Sequence, residues 1–237
     1  YGFKTIVTDH HQVPESMAQA DAIINPKQPD CKFPFRDLSG VGVAFYLAAA
    51  LRNKIVNNDT FKGISAPNMK SFLDFVAIGT IADIMPLNGV NRILVKGGFE
   101  AMSSTPHRGI RNLFATLDIN SELMTSEAVS FRIAPAINAA GRLGEAEKPI
   151  KLFLAETDDS ASEFSSQLVQ LNNRRREITE QNYSNALDIT RKELLKCNKC
   201  VAILGEFHEG VLGIVASKLV EEFRIPVLVC CYHPADR

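Results

Sequence analysis

The residues of this chain best suited to chemistry are Asp9, His10 and His11, which stand together, and Asp83, which stands apart from them. A carboxylate and two imidazoles can hold a metal ion, move protons or contact a phosphate. Adjacent histidines alone would fit an exposed turn. Here they follow Thr5-Ile6-Val7-Thr8, whose β-branched residues read as the end of a short buried strand. Open α/β sheets bind ligands beyond the carboxyl ends of their strands, so the triplet sits where a site is expected. Asp83 lies in Gly79-Thr80-Ile81-Ala82-Asp83, near the end of an apolar segment. A carboxylate there is disfavoured by the helix dipole unless something cationic answers it.

The elements that must position these groups can be followed along the chain. Ala22-Ile23-Ile24 reads as a second strand, and Pro26, Pro29 and Pro34 make the next stretch a loop. Ser39 is an N-cap for a helix carrying Gly40, Gly42 and the apolar run from Val43 to Leu51. A polar loop from Lys62 to Asn68 precedes a helix expected over Ser71 to Met85, apolar nearly all round and stopped by Pro86. Further helices are expected over Asn91 to Met102 and Gly109 to Leu117. From Ile133 to Arg142 small residues dominate, with Asn138 and Arg142 as polar anchors. The choice there is between close passage of a ligand and a tight interhelical loop.

The longest helical signal runs from Asp158 to Leu195, opened by a capping box of Ser160 and Glu163. At 1.5 Å per residue it would span roughly 50 Å, which points to a connector between domains. It carries Arg174, Arg175 and Arg176, either a solvated face or a phosphate contact. Val201 to Leu204, a loop with His208, Gly210 and Gly213, a helix from Ile214 to Phe223 and Pro226 to Cys231 make a βαβ unit.

Composition narrows the class. The 237 residues are 46% hydrophobic and 22% charged, which suits a soluble globular protein of one or two domains. A net charge of -1 excludes a bulk cationic field, so any nucleic-acid contact must come from local clusters of Lys and Arg. Five cysteines are an odd number for a disulfide framework and point to a reducing, cytoplasmic setting. Cys197 and Cys200 lack partners at zinc spacing and read as ordinary thiols. No apolar run reaches membrane-spanning length, so no membrane partner is expected.

Five ordered stretches carry a family likeness: Val7 to His11, Ser39 to Leu51, Gly79 to Leu87, Ile133 to Arg142 and His208 to Ser217. Together they resemble the DHH phosphoesterase superfamily, in its RecJ-type branch of single-strand-specific exonucleases. The resemblance implies an α/β fold. In it a parallel-sheet DHH domain (residues 1–157) is joined by a connector helix (158–196) to a smaller α/β DHH-associated domain (197–237). It implies a metal-dependent exonuclease hydrolysing single-stranded DNA, 5′ to 3′, in repair and recombination. A phosphodiesterase of short oligonucleotides or cyclic dinucleotides and a non-catalytic scaffold are the alternatives. The implied cofactor is a pair of manganese ions, with magnesium as the alternative. Single-strand-binding protein and a helicase are the implied protein partners.

Residue by residue, His10 and Asp83 resemble ligands of one metal. His11 resembles the contact to the scissile phosphate or the attacking water, and Asp9 the group that orients the histidines. Arg92, Asn138, Arg142, Arg174, Arg175, His208, Gly210 and Gly213 are the candidate contacts to DNA. Ala136 stands where many members of the family carry a basic residue. The family's remaining metal ligands are aspartates on two motifs expected before Tyr1. The chain is therefore expected to be a fragment with an incomplete two-metal site, and an unpaired strand edge is expected beside Thr5 to Thr8.

Overall fold

A computed structural model describes residues 2–58, 63, 65–194 and 199–232. The expectations placed on Lys62, Leu195 and Cys197 fall outside the described residues; Cys200 is an exposed free thiol. The chain divides into two compact units, Tyr1–Ala134 and Pro135–Arg237.

In the first unit β1 (Ile6–Thr8) and β2 (Ala22–Ile24) pair in parallel, with Val7 opposite Ile23. Among the described residues β1 is paired on one side only, and Ile6 is exposed. Helix α1 (Gly40–Val56) begins where Ser39 Oγ accepts from Gly42 N at 3.2 Å, as the N-cap reading expects. Helix α2 (Leu73–Ala82) packs beside it, and α3 (Gly89–Met102) packs beside α2. Leu38, Val43, Val76 and Leu94 form one core cluster, with Phe33, Phe35 and Tyr46 against it. Two glycines set how closely these helices approach. A Cβ at Gly79 would lie 2.5 Å from Val41 Cγ1, and one at Gly98 would lie 2.4 Å from Ala77 Cβ. Only hydrogen fits at either place.

The α2 segment differs from its sequence reading at both ends. Its first turn, Met69–Phe72, is 3₁₀, opened by Asn68, whose side chain accepts from Lys70 N. Its end comes at Ala82 rather than at Pro86, because the chain turns left-handed at Ile84, φ 54°. Ile84 N donates to Ile81 O at 3.0 Å and Met85 N to Thr80 O at 3.1 Å. That pair of bonds is a Schellman cap, which closes the orphan carbonyls before Pro86 is reached.

Helix α4 (Arg108–Thr116) follows, and then a continuous helical run rather than a loop: α5 (Ser126–Ala128), a π segment (Val129–Ile133) and α6 (Ala134–Arg142). The π segment ends just before Pro135, which has no N–H to give the carbonyl of Phe131. Ala134 N bonds Val129 O instead, widening the turn and making room for the proline ring.

In the second unit α7 (Glu147–Phe153) precedes α8 (Asp158–Leu194), which is unbroken over its 37 residues. Its N-cap is Thr157, not Ser160: Thr157 Oγ1 accepts from Ser160 N at 3.2 Å, which puts Ser160 inside the first turn. The helix packs against α7, β3 (Val201–Gly205) and α9 (Leu212–Phe223), so it is a layer of this unit as well as a long rod. β3 pairs in parallel with β4 (Val227–Cys231), completing the expected βαβ unit. Ala186, Val201, Ile203, Phe207, Val211, Val215 and Leu219 are its buried centre.

Candidate metal centre

The triplet sits at the carboxyl end of β1 and is held there by β2. Asp9 N donates to Ile24 O at 3.0 Å, which continues the ladder one residue past the strand. Beyond β2, the nearly inaccessible Asn25 (3% exposed) does the rest. Its Nδ2 donates to Asp9 Oδ2 at 3.1 Å and to His11 O at 3.0 Å, while its Oδ1 accepts from Lys27 N at 2.9 Å. Asn25 was not a sequence candidate. The available signal was an Asn-Pro pair closing the strand that neighbours the triplet.

Within the triplet, Asp9 orients His11. The His11 ring Nδ1 lies 2.7 Å from Asp9 Oδ1, and His11 N donates to the same oxygen at 3.2 Å. An ionised carboxylate only accepts, so Nδ1 carries the proton and Nε2 is left free. The bond from the His11 ring holds the Asp9 carboxyl below its ordinary value. The His11 side chain is 77% exposed, so its free nitrogen faces solvent and whatever binds there.

The His10 ring lies beside that of His11, with centroids 4.3 Å apart, and reaches a different partner. It packs on Gly40 at the start of α1, where a Cβ would lie 3.4 Å from His10 Cδ2. Its Nδ1 lies 3.4 Å from Asp83 Oδ2. The two residues are 73 positions apart, and the fold brings them together at the C-cap of α2. A buried hydroxyl pair, Ser39 Oγ and Thr80 Oγ1 at 3.0 Å, fastens the start of α1 to the last turn of α2 beneath this meeting point. Asn91 Nδ2 donates to Asp37 O and Pro86 O, pinning the loops on either side.

The donor set suits a divalent cation in part. Two donors about 2.1–2.2 Å from one ion, at angles of 90–110°, lie roughly 3.0–3.5 Å apart. The His10–Asp83 separation falls in that range, and imidazole with carboxylate is the mixture that manganese accepts. Among the described residues no group of three or more His, Cys, Asp or Glu side chains surrounds a common point. His10 and Asp83 thus fit as two donors of one ion and no more.

Of the candidates for DNA contact, Arg92 is exposed on the first turn of α3 in the first unit. The second unit gathers several of the others. Gly210 packs on the end of α6 so closely that a Cβ there would lie 1.9 Å from Arg142 O. Arg142 Nη1 donates to Gly210 O at 3.0 Å. Gly210 N donates to His208 Nδ1 at 3.1 Å, so the neutral ring keeps its proton on Nε2, a free donor. Gly210 therefore contributes close approach rather than an open N–H, while Gly213 faces open space. Arg175 Nη2 donates to Asn172 Oδ1 at 2.6 Å. Burial lowers the Arg175 pKa from its ordinary value, and the like charges of Arg176 and Arg142 lower it further. Arg175, with Arg176 and Arg142 near enough to act on it, is the centre of a local anion-attracting field. Arg174 and Asn138 are exposed.

Residues 1–80 match the DHH family, N-terminal domain. Along nearly its whole length the chain is similar to proteins of the RecJ branch. It is 38% identical to the single-stranded-DNA-specific exonuclease RecJ of Haemophilus influenzae, over 96% of this chain and 40% of that protein. It is 36% identical to RecJ of Escherichia coli, over 96% of this chain and 41% of that protein. The chain thus spans about two-fifths of the length of these relatives. Among solved structures, exonuclease RecJ bound to manganese superposes with a TM-score of 0.81 at 34% identity, covering 98% of this chain and 55% of that one. RecJ of Thermus thermophilus in complex with Mn2+ gives 0.78 at 35% identity, covering 97% and 33%.

Proposed function

We propose that this protein is a divalent-metal-dependent exonuclease that hydrolyses phosphodiester bonds of single-stranded DNA, in the 5′ to 3′ direction, during repair and recombination. The observation that carries the reading is the meeting of His10 Nδ1 and Asp83 Oδ2 at 3.4 Å, beside an exposed His11, in a chain similar to RecJ. His10 and Asp83 would hold one manganese ion, with magnesium as the alternative. Such an ion supplies positive charge to the phosphoryl oxygens and lowers the pKa of water. His11, fixed by Asp9 in the Nε2-free tautomer, faces outward to take or give a proton at the scissile phosphate. Arg142, Arg175 and Arg176 would attract the backbone phosphates, with His208 Nε2 as a further donor. Arg92 in the first unit, and Asn138, Arg174, Gly210 and Gly213 in the second, are each proposed as contacts to the strand.

Single-stranded DNA is the proposed partner, with single-strand-binding protein and a helicase as protein partners and the cytoplasm as the compartment. Among the described residues no helix is long and apolar enough to cross a membrane. The proposed domain division keeps α8 as the connector between a DHH part and a DHH-associated part. The test is the product profile with manganese on single-stranded DNA, duplex DNA and dinucleotides, with and without chelator. Chelator-sensitive release of nucleotides from the single strand supports the reading. Preference for dinucleotides would move the assignment to short-oligonucleotide phosphodiesterases, and failure to bind manganese would favour the scaffold.

A further inference from the structure

The residue next to Asp83 is built against its own stability. Ile84 occupies the left-handed position of the Schellman cap, φ 54°, which suits glycine or asparagine. A β-branched side chain there is strained, because Cβ crowds the backbone. Ile84 is also 89% exposed, so no burial of its side chain offsets that strain. The cap itself needs only the backbone bonds from Ile84 N to Ile81 O and Met85 N to Thr80 O, which glycine would make equally well. Strain held at a functional position is a pointer to a role in binding. The neighbouring carboxylate, 3.4 Å from His10 Nδ1, is where the proposed function puts the metal ion that would draw the scissile phosphate.

We propose that Ile84 is a substrate-contact residue, whose exposed aliphatic side chain packs on the apolar face of the terminal nucleobase while the adjacent phosphate is held at His10 and Asp83. This rests on the function proposed above. An unpaired base offers an apolar face that a duplex hides. An aliphatic side chain cannot hydrogen-bond to base edges, so the contact is indifferent to sequence. The left-handed cap projects the side chain from the helix end, and the stiffness of a β-branched residue keeps it there.

The experiment measures manganese-dependent binding of single-stranded oligonucleotides whose terminal nucleotide is intact or abasic, using the full chain and the variants Ile84→Gly, Ile84→Asn and Ile84→Val. Covering about half of the isoleucine side chain is worth about tenfold in affinity. Glycine and asparagine should therefore weaken binding of the intact oligonucleotide about tenfold and raise the thermal midpoint by relieving strain. Both should bind the abasic oligonucleotide as the parent protein does. Valine, one methylene shorter, should stay within about fourfold of the parent. If Ile84→Gly binds both oligonucleotides like the parent, the contact is absent and the inference falls. A parent protein that binds single strands but does not distinguish intact from abasic ends also overturns it. A parent protein that binds no single-stranded DNA with manganese would overturn the proposed function first, and this inference with it.

Discussion

Replacing Gly79 by alanine puts a methyl group 2.5 Å from Val41 Cγ1, at the crossing of α1 and α2. Carbon atoms in contact sit at about 3.5–4.0 Å, so the helices must separate by roughly 1 Å or Val41 must leave its rotamer. Overpacking of this kind costs about 1–3 kcal/mol, against roughly 1 kcal/mol gained from alanine in a helix interior. A net loss of up to about 2 kcal/mol should follow in urea unfolding. The site should suffer more than the fold, because Gly79 lies one turn before Asp83 and α1 begins under His10. Metal donors tolerate displacements of about 0.2 Å, so manganese affinity should fall at least about tenfold. Val41→Ala removes the obstructing methyl groups. The double variant should recover about 1–2 kcal/mol relative to the sum of the single changes, and regain most of the metal affinity. A Gly79→Ala protein that is more stable than its parent and binds manganese equally well would show that α1 and α2 do not touch at this point.

Other perturbations probe the supports. Asn25→Ala removes three hydrogen bonds to Asp9, His11 and Lys27, and should cost about 2–3 kcal/mol with a fall in metal affinity, read by urea titration and calorimetry. Buried Asp74, bonded to Thr105 Oγ1 and Phe75 N, has its pKa raised above 3.8 chiefly by burial. The folded protein then holds this proton more tightly than the unfolded chain, so the Asp74 contribution is full below that value and declines as pH rises through the raised pKa. Stability measured from about pH 4 to 7 should accordingly fall less in Asp74→Asn than in the parent; equal slopes would refute it. Gly210→Ala, whose Cβ would meet Arg142 O at 1.9 Å, should push the 208–211 turn away from α6 and break the bond from Arg142 to Gly210 O. Its signature is weaker single-strand binding with a reduced salt slope, checked by titration at several ionic strengths.

The strands, α1 with its Ser39 cap, the length of α8 and the βαβ unit were legible because each rests on local pattern: β-branched runs, a hydroxyl before an apolar segment, helical spacing without Gly or Pro. The family likeness pointed to His10 and Asp83 as partners across 73 positions, which periodicity alone could not do. The end of α2 was hidden because its left-handed cap is isoleucine, leaving Pro86 as the visible stop signal. The helical run through Pro135 was hidden because a π turn makes room for the proline. Asn25 and the Asp74–Thr105 bond depend on chain segments that meet only after folding, and no local spacing announces them.

The central claim is that His10 and Asp83 hold one divalent ion. The direct measurement is anomalous diffraction at the manganese edge from crystals soaked in manganese. A peak within about 2.3 Å of both His10 Nδ1 and Asp83 Oδ2, absent in Asp83→Asn, is the expected result. A peak bound elsewhere in the first unit, or one that persists unchanged in Asp83→Asn, would contradict the account.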